Sequence, residues 1–498
     1  MSRQAADPGT GGTDRLQSGS LGLGEVIMSG LVQVAPASSL MLTTALMAGL
    51  AGASVPLVML IAMVGVAATG NALAQFSRIW PSSGSFITFI SRAIDARLGL
   101  TVAITALVGY IVTFAGIYLF VGQYIATQIL HVNGSTPQTL IALGYGLVLI
   151  IPVVVGLQVG IRVAIAMYAF EVAVILAVSI AIIVRGGDHG LSATPFTFGH
   201  AGLKGVALAM ALAVLAFVGF EAPAPLAEES RNPRRNVPLA IMLGIAISGL
   251  LFVLGSYASV SAFPSASAFA GNAAPFTAAA HRFIPPLAHV VTWLFVTSVS
   301  ASFIIANTET SRVIFNGARE GLWNRRIARI HPRFKTPWVA VLVFVLPSLV
   351  IAVASLAVWD LSTAAGFLST LGTLGIVLMY AMTNAALFVL WFRERRAGRT
   401  RHVLTWLALP VLGTAVMILP FWSNFQAGQP SPFNELPLGF AVMLAIGVAY
   451  TAVLALVRPD MARNAGSLVM GERVRPESPA LGPPEDLDAP PVVSGAGS

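Results

Sequence analysis

The chain has 498 residues, of which 56% are hydrophobic and only 10% charged, against roughly 25% charged in an ordinary soluble protein. So little charge could not cover a soluble globule, and so much apolar sequence in long runs excludes both a disordered chain and a single soluble core, which leaves a polytopic membrane protein. The net charge of +8, from 28 basic and 20 acidic residues, lies between the apolar runs. There it reads as a topology signal and argues against nucleic-acid binding, which needs a clustered basic face.

Residues 1–20 are rich in Gly, Ser and Gln and lack a basic stretch followed by an apolar one. They read as a mobile tail without a cleaved signal, so the first span is expected to direct insertion itself. A helix crossing about 30 Å of hydrocarbon needs about 20 mostly apolar residues. Twelve runs approach that length: 26–48, 55–76, 98–125, 140–157, 163–184, 205–226, 237–263, 287–314, 338–358, 363–390, 403–422 and 436–457. They are continuous rather than alternating, which favours helices over a barrel. Residues 459–498, rich in Pro, Gly and acid, read as a second mobile tail.

With the N-terminus inside, the inner loops hold 19 basic residues, among them Arg78, Arg92, Arg97, Arg234, Arg325, Arg333 and Arg396, and the outer loops hold only Arg185, Lys204 and Arg282. That asymmetry predicts both termini in the cytoplasm. Lysine is confined to Lys204 and Lys335 and alanine is abundant; this composition suggests a GC-rich bacterial genome and hence an inner-membrane protein.

The first span is interrupted by Gly30 and Pro36 in GLVQVAPASS, residues 30–39. The sixth is interrupted by Gly219, Pro223 and Pro225 in FVGFEAPAP, residues 217–225, with the same glycine-to-proline spacing. Proline lacks an N–H and clashes with the preceding turn, so both helices are expected to open near mid-membrane. Open backbone survives there only where it lines protein or a water-filled cavity. Matching interruptions five spans apart point to a transporter binding site between inverted repeats, spans 1–5 in residues 21–200 and spans 6–10 in 201–392, followed by two helices in 393–458. The plainer reading, two proline kinks, explains one such span more readily than a matched pair.

Ionisable groups inside spans are costly and usually functional. Glu171 lies in the fifth span and Glu221 in the sixth, neither with a basic neighbour in sequence, whereas Glu309 has Arg312 one turn later and reads as a structural ion pair.

The run FVGFEAPAPLAEESRNPRRNVPLAI, residues 217–241, resembles the sixth-span signature of the amino acid–polyamine–organocation permeases. FSRIWPSSGSFITFISR, residues 76–92, resembles that family's loop after span two, and TSRVIFNGAREGLW, residues 310–323, its loop after span eight. The similarity covers about residues 20 to 455. It implies a leucine-transporter-like fold of ten core helices plus two, moving amino acids or related amines by alternating access. The first span departs from the family: where many relatives carry a Gly-Ser-Gly-Ile turn, this chain reads Ala35-Pro36-Ala37-Ser38.

A zwitterion in a low-dielectric cavity needs both charges matched. The N-terminal end of the second half of span one, near Ala37 and Ser38, is expected to offer free N–H groups and positive dipole to a carboxylate. Carbonyls of Gln33, Val34, Phe217 and Val218 are expected to accept from the amino group. Ala35, Pro36 and Gly219 shape the breaks, and Phe220, Phe217, Tyr110 and Phe114 are candidate walls for the side chain. With no further charge placed there, a neutral or aromatic substrate is expected over a dibasic one. Burial disfavours a carboxylate anion, so Glu171 and Glu221 are candidates to carry a coupling proton. The alternatives to proton symport are a sodium site, with oxygen ligands at the span-one break and Ser298 and Thr297, and exchange against a counter-substrate.

Other classes fit poorly. The sequence has no Cys, no paired-His metal spacing and no phosphate-binding Gly-x-x-x-x-Gly-Lys-[Ser/Thr] loop, so an enzyme, a nucleotide-driven pump and a bound cofactor are not expected. The tails are too short for a signalling domain. A channel is the nearest rival, because broken helices also line pores.

Overall fold

The structure, a computed structural model, describes residues 21–82, 85–155, 161–188, 190–228, 230–319, 321–459, 468–469 and 472–473. The tail 1–20 and most of 459–498 lie outside the described residues, as does the tight junction expected between the fourth and fifth spans.

Among the described residues the apolar runs are mostly helical. In order the helices are α1 (Leu23–Val34), α2 (Pro36–Ala51), α3 (Val55–Ile79), α4 (Ser85–Ala93), α5 (Ala96–Tyr124), α6 (Ser135–Val155), α7 (Ile161–Val184) and α8 (Gly202–Phe217). They continue as α9 (Pro233–Ser261), α10 (Ala266–Ala270), α11 (Pro275–Phe283), α12 (Pro285–Arg319), α13 (Trp338–Ser355), α14 (Leu361–Arg396), α15 (Leu409–Asn424) and α16 (Leu436–Val457). Among the described residues ten helical segments are long and apolar enough to cross a membrane, and α8 is a shorter apolar helix beside them.

Most runs read from the sequence became helices with shifted ends. α9 begins before its run because Pro233 suits the first turn of a helix, and α14 continues past its run because Arg393, Arg395 and Arg396 extend the same turn periodicity beyond the apolar stretch. Three helices lie outside the runs. α4 follows span two, and α10 and α11 lie between the seventh and eighth runs; they are too short to cross the membrane and bury phenylalanines such as Phe89, Phe269 and Phe276 against the bundle.

Small residues set the closest helix crossing. α5 lies on α14 through Gly109 and Gly116 against Gly372, Gly375 and Ser369. A Cβ on Gly109 would stand 2.6 Å from the Gly372 carbonyl oxygen, and one on Gly116 2.5 Å from Ser369 Oγ. In lipid, where helices gain nothing from expelling water from one another, such close backbone approach is the main source of attraction. A second crossing joins α3 to α9, where Gly249 admits the Met63 side chain. Around this frame α1, α2, α7, α8 and α12 place the discontinuities read from the sequence.

Candidate functional site

The first span breaks over one residue. α1 ends at Val34 and α2 begins at Pro36; between them Ala35 has φ 47° and ψ 72°, a left-handed conformation that L-residues other than glycine rarely adopt. Pro36 suits the first position of α2 because it has no N–H to leave unpaired. The next donors are all taken. Ala37 N–H donates to Glu171 Oε1 at 2.5 Å, Ser38 N–H to Ser298 Oγ at 3.2 Å, and Ser39 N–H to the Ala35 carbonyl at 3.0 Å. Ser298 Oγ donates in turn to Glu171 Oε1 at 2.5 Å and lies 3.2 Å from Ser38 Oγ. A carboxylate from α7 thus caps the positive end of α2, as helix termini favour.

This corrects the expectation that Ala37 and Ser38 offer free N–H groups: in this conformation the protein's own acid fills the place foreseen for a substrate carboxylate. Thr297 is corrected too. It is exposed and its hydroxyl donates to the Trp293 and Leu294 carbonyls of its own helix, away from the break, whereas Ser298 faces it.

The sixth span opens over many more residues. α8 stops at Phe217, Val218 turns out of the helix with ψ 127°, and Gly219 has φ 112°, open to glycine because it lacks a Cβ. Residues 218–224 are turns and Pro225–Glu228 a short 3₁₀ segment, so the expected second half of this span is not an α-helix. Two prolines three and five residues after Phe220 leave no room for one. Glu221 folds back on this turn. Its Oε2 accepts from Gly219 N–H at 2.9 Å and its Oε1 from the Tyr110 hydroxyl at 2.6 Å. The ring of Tyr380 on α14 lies 5.1 Å from that of Phe220, and its buried hydroxyl stands beside Glu221 and Tyr110.

The two breaks meet. A Cβ on Gly219 would stand 2.8 Å from Gln33 Cγ and 3.0 Å from both the Gln33 carbonyl carbon and Val34 N, and one on Gly30 would stand 3.1 Å from Pro223 Cγ. Beyond the second break, Ser230 pairs with Leu21 as an isolated bridge, and Arg231 N–H donates to the Leu21 carbonyl at 2.9 Å. The entry of α1 and the exit of the sixth span are therefore held side by side at one end and in van der Waals contact at mid-span.

Of the carbonyls expected to be open, three are occupied. Gln33 O accepts from Ser302 Oγ at 2.7 Å, Val34 O from Ser39 Oγ at 2.6 Å, and Phe217 O from Phe220 N–H at 3.1 Å. The Val218 carbonyl accepts no hydrogen bond among the described residues. Gln33, Val34, Gly219, Phe220, Glu221 and Tyr110 are thus gathered at one place, with Ala35, Pro36, Ala37, Ser38 and Glu171 at the adjoining end of α2. Two candidates are not. Phe217 is fully buried and packs edge-on against Phe252 of α9 at 5.1 Å. Phe114 sits in an aromatic cluster with Phe303 at 4.8 Å and Phe344 at 5.1 Å.

Ser302 and Tyr380 were not singled out from the sequence. Ser298 and Ser302 are four apart, which places them on one helix face and was a readable signal. Tyr380 lies in a long apolar run with nothing local to mark it.

Comparison with known proteins bears on the family and the fold. A family profile described as amino acid permease matches residues 18–454. The low-affinity putrescine importer PlaP of Escherichia coli is 24% identical over 447 residues, 87% of this chain and 93% of its own. The branched-chain amino acid permease BcaP of Bacillus subtilis is 32% identical over 143 residues, 28% of this chain and 30% of its own. Among solved structures, the manganese transporter of Eremococcus coleocola in complex with an aromatic bis-isothiourea compound shares the fold, with a TM-score of 0.51 and 16% identity, covering 89% of this chain and 95% of that one.

Proposed function

Because the chain belongs to the amino acid permease family and is a multi-pass transporter of the leucine-transporter-like fold, we propose that it imports an amino acid or related amine by alternating access, as a proton-coupled symporter. The observation that carries the coupling is the capping of α2 by Glu171. A carboxylate whose partners among the described residues are one N–H and one hydroxyl, both buried at a helix break, holds the break together when ionised and weakens it when protonated. Protonation and the geometry of the break are then linked, as symport requires.

The fold reading extends the same way. Residues 21–200 and 201–392 form two inverted repeats whose broken first helices face each other across the site, with 393–458 as two added helices. The Arg-rich loops lie in the cytoplasm with both termini, in a bacterial inner membrane.

Uptake of radiolabelled amino acids and amines into proteoliposomes tests the coupling. An outside-acid pH gradient should drive accumulation and a sodium gradient should not. Glu171→Gln should leave saturable, downhill uptake but abolish its response to the pH gradient. A sodium-driven, pH-indifferent wild type, or a Glu171→Gln variant that still accumulates substrate with pH, would overturn the proton reading. Flux that does not saturate would indicate a channel.

A further inference from the structure

The loop between α12 and α13 concentrates charge of one sign. Between Asn324 and Thr336 it holds Arg325, Arg326, Arg329, Arg333 and Lys335 and no acid. All five are exposed, and none is paired with an acid among the described residues; Arg333 covers the ring of its neighbour Phe334. The turns that carry them are fastened. Asn324 Oδ1 accepts from Arg326 N–H at 2.9 Å, and His331 Nδ1 from Arg333 N–H at 3.3 Å and Phe334 N–H at 3.2 Å. The Thr336 hydroxyl donates to the Val154 carbonyl of α6. Like charges held this close repel one another, and a counter-charge relieves that cost.

The end of α16 is tied to the same loop. The Tyr450 hydroxyl donates to the Leu322 carbonyl, and Arg458 Nη1 donates to the Gly321 carbonyl at 3.2 Å. The chain beyond Arg458 therefore sets out beside the arginines. Its residues 476–498 contain Glu477, Glu485, Asp486 and Asp488 and no base. Between Arg458 and Glu485 lie 26 residues, a length that reaches roughly 30 Å as a loose coil. Such a tether gives an effective concentration on the order of millimolar.

We propose that the acidic segment 485–488 docks on the exposed basic face of residues 325–335, and that docking restrains the α12–α13 pair against α16. An anionic bilayer surface also attracts such a loop. It brings no tether, and it gives no reason for four acids without a base to follow a helix anchored at this point. Ser298 and Ser302 of α12 bond the first break, so a restraint on the end of α12 bears on transport. That consequence rests on the permease reading above; the docking itself does not.

The chain has no cysteine, so one introduced pair reports without background. Ile330→Cys, at a loop position 45% exposed, together with Leu487→Cys between the acids should form an intramolecular disulfide when the purified full chain is mildly oxidised in neutral-lipid vesicles. The yield should fall about fivefold or more in about 1 M salt, where charges are screened within about 3 Å. Glu485→Lys, Asp486→Lys and Asp488→Lys together should reduce it to the high-salt level. Arg325→Glu, Arg326→Glu and Arg329→Glu together should do the same, and the two sets combined should restore it. Deleting residues 476–498 should raise the rate of saturable uptake about threefold, the size of effect that exposed ion pairs supply.

A salt-indifferent disulfide, or combined charge reversals that fail to restore it, would overturn the docking. So would a yield that collapses when phosphatidylglycerol is added to the vesicles, which would assign the loop to the bilayer surface. A shortened chain that transports at the wild-type rate would overturn the restraint. If neither chain takes up an amino acid or amine, the permease reading falls, and the disulfide still decides the docking.

Discussion

The break in the first span and the break in the sixth answer the same chemical need with different amounts of backbone. The first turns on Ala35 alone, between two regular helices, and is held from outside its own span by Glu171 and Ser298. The sixth gives up its helix from Val218 onward and is held by its own Glu221, which bonds the Gly219 N–H two residues earlier and the Tyr110 hydroxyl of α5. One break is narrow and depends on α7 and α12; the other is wide and carries its own acid. A narrow break whose fastening lies wholly on other helices can respond to them, whereas a wide one that carries its own acid depends on them less. That division suits the coupling role proposed for Glu171.

The largest expected effect tests the contact between the breaks. Gly219→Ala places a methyl group 2.8 Å from Gln33 Cγ and 3.0 Å from α1 backbone atoms, at a φ of 112° that alanine resists. Strain and overlap together should cost about 2–4 kcal/mol. The purified variant should unfold at a clearly lower temperature than wild type and show little uptake. Wild-type stability would mean that α1 moves aside freely and that the two breaks are not in firm contact.

Next in size is the outside fastening of the first break. Ser298→Ala removes the acceptor of Ser38 N–H and one of the two donors to Glu171, leaving a buried N–H unpaired. About 1–2 kcal/mol of stability should be lost. The pH response of uptake should change as well, since Glu171 keeps only the Ala37 N–H. An effect on stability with an unaltered pH profile would show that Ser298 supports the fold without tuning the proton site.

How much of this was legible depends on whether the signal is local. Proline and glycine act on their own backbone, so Pro36, Gly219, Pro223 and Pro225 marked both breaks in advance, and long apolar runs marked the helices. The extent of each break was not legible: it follows from Ala35 taking a left-handed turn that sequence disfavours and from two prolines denying the sixth span its second half. The partners were least legible of all. Glu171 meets Ala37 across 134 positions of sequence and Ser298 meets Ser38 across 260. Nothing near Ala37 in the chain announces that its N–H is taken. Phe217 and Phe114 were misplaced as walls for a related reason, because a phenylalanine in a span carries no mark of which way it faces, and here Phe252, Phe303 and Phe344 take them up.

The smallest effect has the opposite sign and bears on the narrow break itself. Ala35 holds φ 47°, where a Cβ crowds the following carbonyl and costs about 1–2 kcal/mol relative to a right-handed residue. Glycine carries no such penalty but loses more chain entropy on folding, roughly 0.5–1 kcal/mol. The difference leaves Ala35→Gly more stable by up to about 1.5 kcal/mol, a small upward shift in unfolding temperature. The consequence for transport is sharper than that for stability. Under the proposed proton coupling, left-handed strain at Ala35 would favour release of the break when Glu171 is protonated. With glycine the break is at ease whether or not the acid is ionised, so Ala35→Gly should bind substrate normally and lose part of its pH-driven accumulation. A variant that is more stable and equally well coupled would show that the strain plays no part in the cycle, and the first break would then be a passive hinge.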